Sequence, residues 1–525
     1  MLSSGQPTVE AILAWNREWF PVCVLVYLAS AIIGAWAVSR RANLSARWLV
    51  SGALIVFLTG AAYHFAYTND DSYIFFRYAR NIVAGHGPVY NVGEWCEGFT
   101  SPAWLALLSG TRALGFDLPT ASRWLGLTFG ILTILLVYSS CRRVTSDPKV
   151  LFLTLFALVT SQFLLSWVSS GMDVALFVAW LALMVHLFAG GRTEARWLWI
   201  ATAVGGWIRP EANIVIAVAW ATKLFQAQDH VPSTVTIRRV AAVLALVALP
   251  FVARQFVYHE WLPMTFYAKS DRTVRSGIGF LFGAMQSFGP AIWVVALAGL
   301  WSRRKEQPWL PAVVILFGLY FVAVGGDILT QRFALFWLPF LMLGLALGLN
   351  LIRELIARAG TALLLVISLA VAGQELHRMY QVTRAATGSE GYLYVSASAI
   401  GTLETDAKIG RYVADHGEPD NVLVTDNIGA IGYYSGVTIR DVNGLVDKTM
   451  AGLIHANRKD EILPIVQRIS PDWIVCYPGP DSLPTQYELV NAGVLTPWVS
   501  ERYEAVGTWR SRVGYTRVLL RRRPP

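Results

Sequence analysis

The sequence predicts a polytopic α-helical membrane protein of about 12 spans that ends in a small external α/β domain. Three observations predict it. Apolar residues make up 55% of the 525 residues and charged residues only 15%, against roughly 25% in an ordinary soluble domain. Apolar runs long enough for a bilayer recur through residues 1–376. After Gln374 the pattern changes to short strand-like runs alternating with helix-like stretches. Together these exclude a disordered chain, a disulfide scaffold and an ordinary cytosolic enzyme.

A span needs about 20 apolar residues. Candidates lie near 20–38, 48–66, 120–140, 149–168, 173–190, 196–208, 211–227, 239–257, 287–302, 309–325, 333–350 and 360–376. The pieces 196–208 and 211–227 are short and split by Arg209-Pro210-Glu211, so they read as two half-buried helices or one broken one. The first apolar run starts near Phe20 and lacks a small-residue cleavage site, so no cleavable leader is expected.

The net charge of +9 would suggest nucleic acid on a soluble protein. Here the basic residues fall at every second connection: Arg40/Arg41/Arg47, Arg142/Arg143/Lys149, Arg192/Arg196, Lys223/Arg238/Arg239, Arg303/Arg304/Lys305 and Arg353/Arg358. The positive-inside rule puts these in the cytoplasm. No nucleic-acid partner is expected. The two longest aqueous segments, 67–119 and 377–525, are then external, and the chain divides into a transmembrane core (1–376) and an external domain (377–525).

In the tail, Asn421–Asp426, Val437–Asp441, Trp473–Tyr477 and Tyr515–Leu520 read as strands, and Thr405–His416 and Lys459–Ser470 as helices. About 150 residues suffice for a separate core. None of the four cysteines forms a CxxC. Cys96 and Cys476 both fall outside, which leaves a disulfide between them open.

The conspicuous polar motifs all fall on the external side. Thr68-Asn-Asp-Asp-Ser-Tyr73 follows the second span, and Arg77 follows on a helix-like stretch. Either Asp70 or Asp71 can cap that helix, which leaves the other carboxylate unaccounted for. The functional alternative is a general base with a supporting partner. His86 and Glu97 lie in a Gly/Pro-rich loop, where hydrogen-bonded loop residues and substrate contacts are both open readings; Thr100 or Ser101 caps the helix opened by Pro102. Asp173, in Ser-Ser-Gly-Met-Asp, is a helix cap or a site residue. Arg209 and Glu211 form a structural ion pair or serve a site. Glu260-Trp-Leu-Pro-Met-Thr-Phe-Tyr-Ala-Lys269 contributes Tyr267 and Lys269, and Gly325-Gly-Asp-Ile-Leu-Thr-Gln-Arg-Phe333 contributes Asp327 and Arg332. Cations beside a carboxylate pair at the bilayer boundary suit an anionic, lipid-linked substrate.

The stretch Asn69–Glu94, ending in Glu97-Gly-Phe-Thr-Ser-Pro-Ala-Trp104, closely resembles the first external loop of polytopic GT-C glycosyltransferases. Ser-Gly-Met-Asp, Arg-Pro-Glu-Ala, the Glu260–Lys269 and Gly325–Phe333 motifs, Gly429–Gly436 and Asp441–Leu445 follow in the order found in the resembled branch, the mycobacterial terminal β-arabinofuranosyltransferase group together with related bacterial proteins that include the pilin-modifying arabinosyltransferase. The resemblance covers about 67–450. It implies a GT-C core with an external domain in a bacterial inner membrane. It implies a polyprenyl-phosphate sugar donor, with D-arabinofuranose the first choice, and an envelope glycan or pilin acceptor. Carried onto this sequence, Asp70 is the base and Asp71 supports it. The donor phosphate falls to Arg209, Lys269, Arg332 and Arg77, while Tyr73, His86, Glu97, Asp173, Glu211, Tyr267 and Asp327 are substrate-binding candidates. No metal is required, because the leaving group is a lipid monophosphate; Asp70 and Asp71 could take a divalent cation, but no ligand set at a defined spacing accompanies them. The chain departs from that branch in carrying an extra span, 20–38, before the loop.

Other readings are a mannose, galactose or aminosugar transferase of the same superfamily, a lipid-linked sugar flippase, or a membrane scaffold. A flippase would need comparable polar groups on both faces, and a scaffold would need no carboxylate pair in the loop.

Overall fold

The computed structural model describes residues 8–40, 45–189, 196–226, 234–268, 273–326, 330–385, 394–478, 487–495 and 497–524. Within the described residues the twelve apolar segments fall on helices, with 149–168 and 287–302 each crossing a break between two. Six described helices are long and apolar enough to cross a membrane, or eight if two bent pairs each count as one span. Val174–Ala189, Ala212–Leu224 and Trp309–Ala323 are shorter apolar helices. The protein is thus a multi-pass membrane protein.

Local sequence sets the helix starts. Proline occupies the first turn at Pro102, Pro119, Pro148, Pro290 and Pro339, where a missing N–H costs nothing. Ser101 accepts from Trp104 N, Asp117 from Thr120 N and Asp147 from Lys149 N. Ser101, rather than Thr100, is therefore the cap before Pro102.

Two helix pairs are sharply broken. Pro148–Thr160 bends by 51° into Gln162–Val168, and Val274–Phe288 bends by 95° into Pro290–Ser302. The helix Val274–Phe288 was not expected from the sequence. It is amphipathic and opens on a capping box between Thr273 and Ser276, so it lacks the continuous apolar run of a span. The last long helix, Arg353–Ala385, runs past the boundary read at 376/377.

The C-terminal domain holds a seven-stranded sheet: β1 (Val422–Thr425), β2 (Thr438–Asp441), β3 (Trp473–Pro478), β4 (Tyr487–Leu489), β5 (Gly493–Val494), β6 (Tyr503–Arg510) and β7 (Thr516–Arg522). Strands β2, β1 and β3 are parallel, with helices in the crossovers; β7 lies antiparallel on β3, and β6 on β7. The four expected strands are present. Strands β4, β5 and β6 were not read, β4 and β5 being very short and β6 having only Tyr503 buried. Val424, Ile454, Val466, Ile474 and Leu520 centre a core beneath the sheet. All four cysteines are free, so the Cys96–Cys476 disulfide does not form. Cys476 lies inside the sheet with its thiol on Val518 O, whereas Cys96 packs with Met264 and Ala451.

Helices Pro290–Ser302 and Leu338–Leu351 pack backbone to backbone through glycines. A Cβ on Gly344 would come within 2.6 Å of Ala296 O, the close approach that small residues permit between membrane helices. Gly344→Val should therefore lower stability by about 1–3 kcal/mol. Thermal unfolding of the purified protein in detergent reads this; an unchanged midpoint would contradict the packing.

Candidate functional site

Asp70 and Asp71 open the helix Asp70–Val83. Asn69 is the N-cap, its Oδ1 accepting from Asp71 N at 3.0 Å. Neither aspartate is the cap, so capping explains neither carboxylate. Both sit in the first turn, where the helix dipole favours negative charge. Consecutive helical residues point about 100° apart, and the two carboxylates diverge accordingly.

Asp70 turns toward the C-terminal domain. Its Oδ1 accepts from Ala430 N at 2.9 Å and faces the Thr402 hydroxyl at 3.5 Å. Among the described residues no hydrogen bond reaches its Oδ2. A Cβ on Gly429 would run into this carboxylate, so only glycine admits the approach. Burial, with Asp406 and Asp71 nearby, pushes the Asp70 carboxyl up to about 8, against the pull of Ala430 N–H and Arg517. Asp71 stays open, its side chain 44% exposed, with Arg332 Nη1 at 3.3 Å from Oδ2.

Arg332 is 7% exposed and its guanidinium lies over Phe333 at 4.9 Å. Its Nε is buried without a hydrogen-bond partner among the described residues. Arg209 lies against the same ring at 5.5 Å. It is saturated by carboxylates: Nη1 meets Asp173 Oδ2 at 2.5 Å, and Nε and Nη2 meet Glu211 at 3.2 and 3.3 Å. Contacts thus run from Asp71 through Arg332, Phe333 and Arg209 to Asp173 and Glu211. The Ser169–Asp173 turn fastens to the aspartate helix, with Ser170 O accepting from Asn69 N at 2.9 Å and Ser72 Oγ at 2.8 Å.

The remaining candidates fall elsewhere. Glu97 forms a buried pair with Arg254, and burial raises its carboxyl while Arg254 opposes the rise. Glu97 O also accepts from Met264 N at 3.1 Å, which pins the Glu260 segment to the loop. Tyr267 in that segment packs edge-on against His455. Tyr73 packs among Phe76, Tyr433 and Tyr434. His86 is exposed in the loop. Lys269 and Asp327 lie outside the described residues.

Arg77 is corrected from its phosphate-binding assignment. Its donors go to Tyr90 O, Gly432 O and Val437 O at 2.8, 2.5 and 2.8 Å, and to Asn91 Oδ1 at 3.1 Å. It clamps the C-terminal domain to the loop helix. Asp441 is likewise a local anchor, accepting from Asn443, Leu445 and Val446 N–H groups. Among the described residues, no three His, Cys, Asp or Glu side chains form a metal-holding group.

Sequence reasoning missed Arg254, Thr402 and Ala430. Arg254 carried a signal, being a charge inside an apolar run. Thr402 and Ala430 carried none.

An interrupted helical bundle with a carboxylate helix at its rim and an α/β domain clamped over it is an ArnT-like fold. The chain matches the crystal structures of ArnT from Cupriavidus metallidurans over 90% of its own length and 97% of that protein's. The TM-score is 0.56 for the form bound to undecaprenyl phosphate and 0.53 for the apo form, at 12% and 13% identity. Its sequence is similar to the terminal β-(1→2)-arabinofuranosyltransferase of Mycobacterium tuberculosis, 26% identical over 337 residues, which are 54% of this chain and 53% of that protein. The chain spans about half the length of this curated relative. Residues 396–520 match a domain of unknown function, DUF8728.

Removing the Arg77 guanidinium would take a donor from four buried acceptors; Tyr90 O keeps Asn81 Nδ2 and Asn91 Oδ1 keeps Ile439 N, while Gly432 O and Val437 O lose their side-chain donor. Arg77→Met should therefore cost about 3 kcal/mol or more. Denaturant unfolding followed through the C-terminal domain reads the loss, and a shift below about 1 kcal/mol would remove Arg77 from the clamp.

Proposed function

We propose that the protein is a GT-C glycosyltransferase. It transfers a sugar, D-arabinofuranose first among the candidates, from a polyprenyl-phosphate donor to a hydroxyl of an envelope glycan or pilin. The reaction takes place at the external face of a bacterial inner membrane. The observation that carries this reading is the Asp70–Asp71 pair beside Arg332, a buried guanidinium with an unpartnered Nε at the rim of the bundle.

In this reading the acceptor hydroxyl reaches the Asp70 carboxylate at the open end of the aspartate helix's first turn. Asp70 Oδ2 takes its proton as the acceptor oxygen bonds to the anomeric carbon. The bond from that carbon to the phosphate oxygen breaks, and the lipid monophosphate leaves with the electron pair. Arg332 neutralises it, with Lys269 as the second cation. A base serves best when its pKa lies near the working pH, and the raised Asp70 carboxyl meets that condition. Asp71 holds Arg332 in place through its ion pair. Arg209, already matched by Asp173 and Glu211, is a scaffold for Phe333 and Arg332 rather than a phosphate ligand.

The first test supplies purified protein with synthetic polyprenyl-phospho-arabinofuranose and a panel of acceptors. Wild type should transfer, and Asp70→Asn should lose at least about 100-fold in kcat, the scale of a general base. Undiminished transfer by Asp70→Asn would remove Asp70 as the base. No transfer by wild type from arabinofuranose, mannose or aminosugar donors would reject the donor class. Arg332→Gln should raise the donor KM.

The pH dependence follows from the sign of the shift. Only the deprotonated Asp70 accepts a proton, and its pKa is raised to about 8. The kcat/KM should therefore rise about tenfold per pH unit below that value and level off above it. A flat profile between pH 6 and 9 would remove Asp70 as the base.

A further inference from the structure

We propose that Glu375 and Arg378, on the last span, are positioning residues that clamp the two broken spans and so hold the carboxylate and cation halves of the site in register. The kinetic part of this inference rests on the transferase reading above; the structural part does not.

A break in a membrane helix strands backbone groups: N–H groups where the second half begins and carbonyls where the first half ends. Lipid offers no water to satisfy them. Glu375 and Arg378 each answer one such group. Glu375 Oε2 accepts from Gln162 N at 3.0 Å, just past the 51° break. Arg378 Nη2 donates to Gln286 O at 3.2 Å, just before the 95° break. Their charges match the helix ends they meet, carboxylate at an N-terminus and guanidinium at a C-terminus. Arg378 Nη1 and Glu375 Oε1 join the two contacts into one unit at 2.6 Å. Both residues are over nine-tenths buried. An ordinary buried ion pair would account for the 2.6 Å contact but not for each partner reaching a different break.

Each break leads into a different half of the site. Gln162–Val168 is only seven residues long, too short to hold its direction unaided. It runs into the Ser169–Asp173 turn, where Ser170 O fixes Asn69 and Ser72 and Asp173 meets Arg209. On the other side, Ser276 Oγ in Val274–Phe288 donates to Gly325 O at 2.8 Å. Phe280 of that helix packs on Phe321, which packs on Phe333 beside Arg332. Glu375 therefore governs the aspartate side and Arg378 the Arg332 side.

The test uses the full chain in lipid nanodiscs, with Glu375→Ala, Arg378→Ala and the conservative Glu375→Gln and Arg378→Lys. Hydrogen exchange is measured by mass spectrometry and transfer kinetics in parallel. Glu375→Ala should speed exchange at least about tenfold in 162–173 with little change in 274–289, and Arg378→Ala should do the reverse. Glu375→Gln keeps an acceptor for Gln162 N–H and should restore most of the protection. Displacing the base side should lower kcat about 10–100-fold, whereas displacing Arg332 should appear first in the donor KM. Uniform acceleration across all spans, or none, would overturn the clamp. Local acceleration with both kinetic constants within about twofold of wild type would overturn its link to the site. Local acceleration in a wild-type background that transfers no sugar would support the clamp and reject the transferase reading.

Discussion

Arg77 meets four acceptors with one guanidinium: the carbonyls of Tyr90, Gly432 and Val437 and the side chain of Asn91. Two belong to the loop and two to the C-terminal domain, so one buried cation joins regions over 300 residues apart in the chain. Neighbouring bonds extend the seam, Tyr90 OH to Ile428 O, Asn91 to Ile439 and Arg80 to Tyr433 O. Because the loop helix is held by this seam on one flank and by the Ser170 carbonyl on the other, its first turn is fixed. The aspartates have their environments only because that turn is fixed. A charge without a carboxylate partner, satisfied by neutral oxygens, is an unusual choice for a clamp. It leaves the carboxylates of the loop for other work.

The same economy of charge recurs across the rim of the bundle. Arg209 is balanced by Asp173 and Glu211, Arg254 by Glu97, and Arg378 by Glu375. Arg332 differs. It shares one partly exposed carboxylate and, among the described residues, keeps an unpartnered Nε. In a low-dielectric surrounding, unsatisfied positive charge of this kind favours an arriving anion. Among these four buried arginines, Arg332 is the one whose charge is least fully matched by carboxylates among the described residues.

Much of the fold was legible because membranes impose simple rules. The apolar segments fall on helices where hydropathy required them, two of them broken. The four strands of the tail were legible as short apolar runs, and β6 was not, because only Tyr503 in it is buried. Val274–Phe288 escaped because its polar residues, among them Arg275, Ser276 and Gln286, break the apolar run that marks a span. Among site residues, the aspartate pair and Arg332 were legible as charges in a motif. Arg77 was legible as a charge but not in its role, since nothing local shows that carbonyls of residues 432 and 437 would surround it.

By itself, then, the sequence determined the class of the protein: its membrane helices, its terminal α/β domain and the set of charged residues at the rim. Those follow from composition and period, which act over short stretches of chain. Tertiary structure alone decided which carboxylate is buried, which arginine is balanced and which is left partly free, and which cysteines stay apart. Each depends on desolvation and on partners supplied from distant segments. The 2.9 Å bond from Ala430 N to Asp70 crosses 360 residues, and no local pattern encodes a contact of that span.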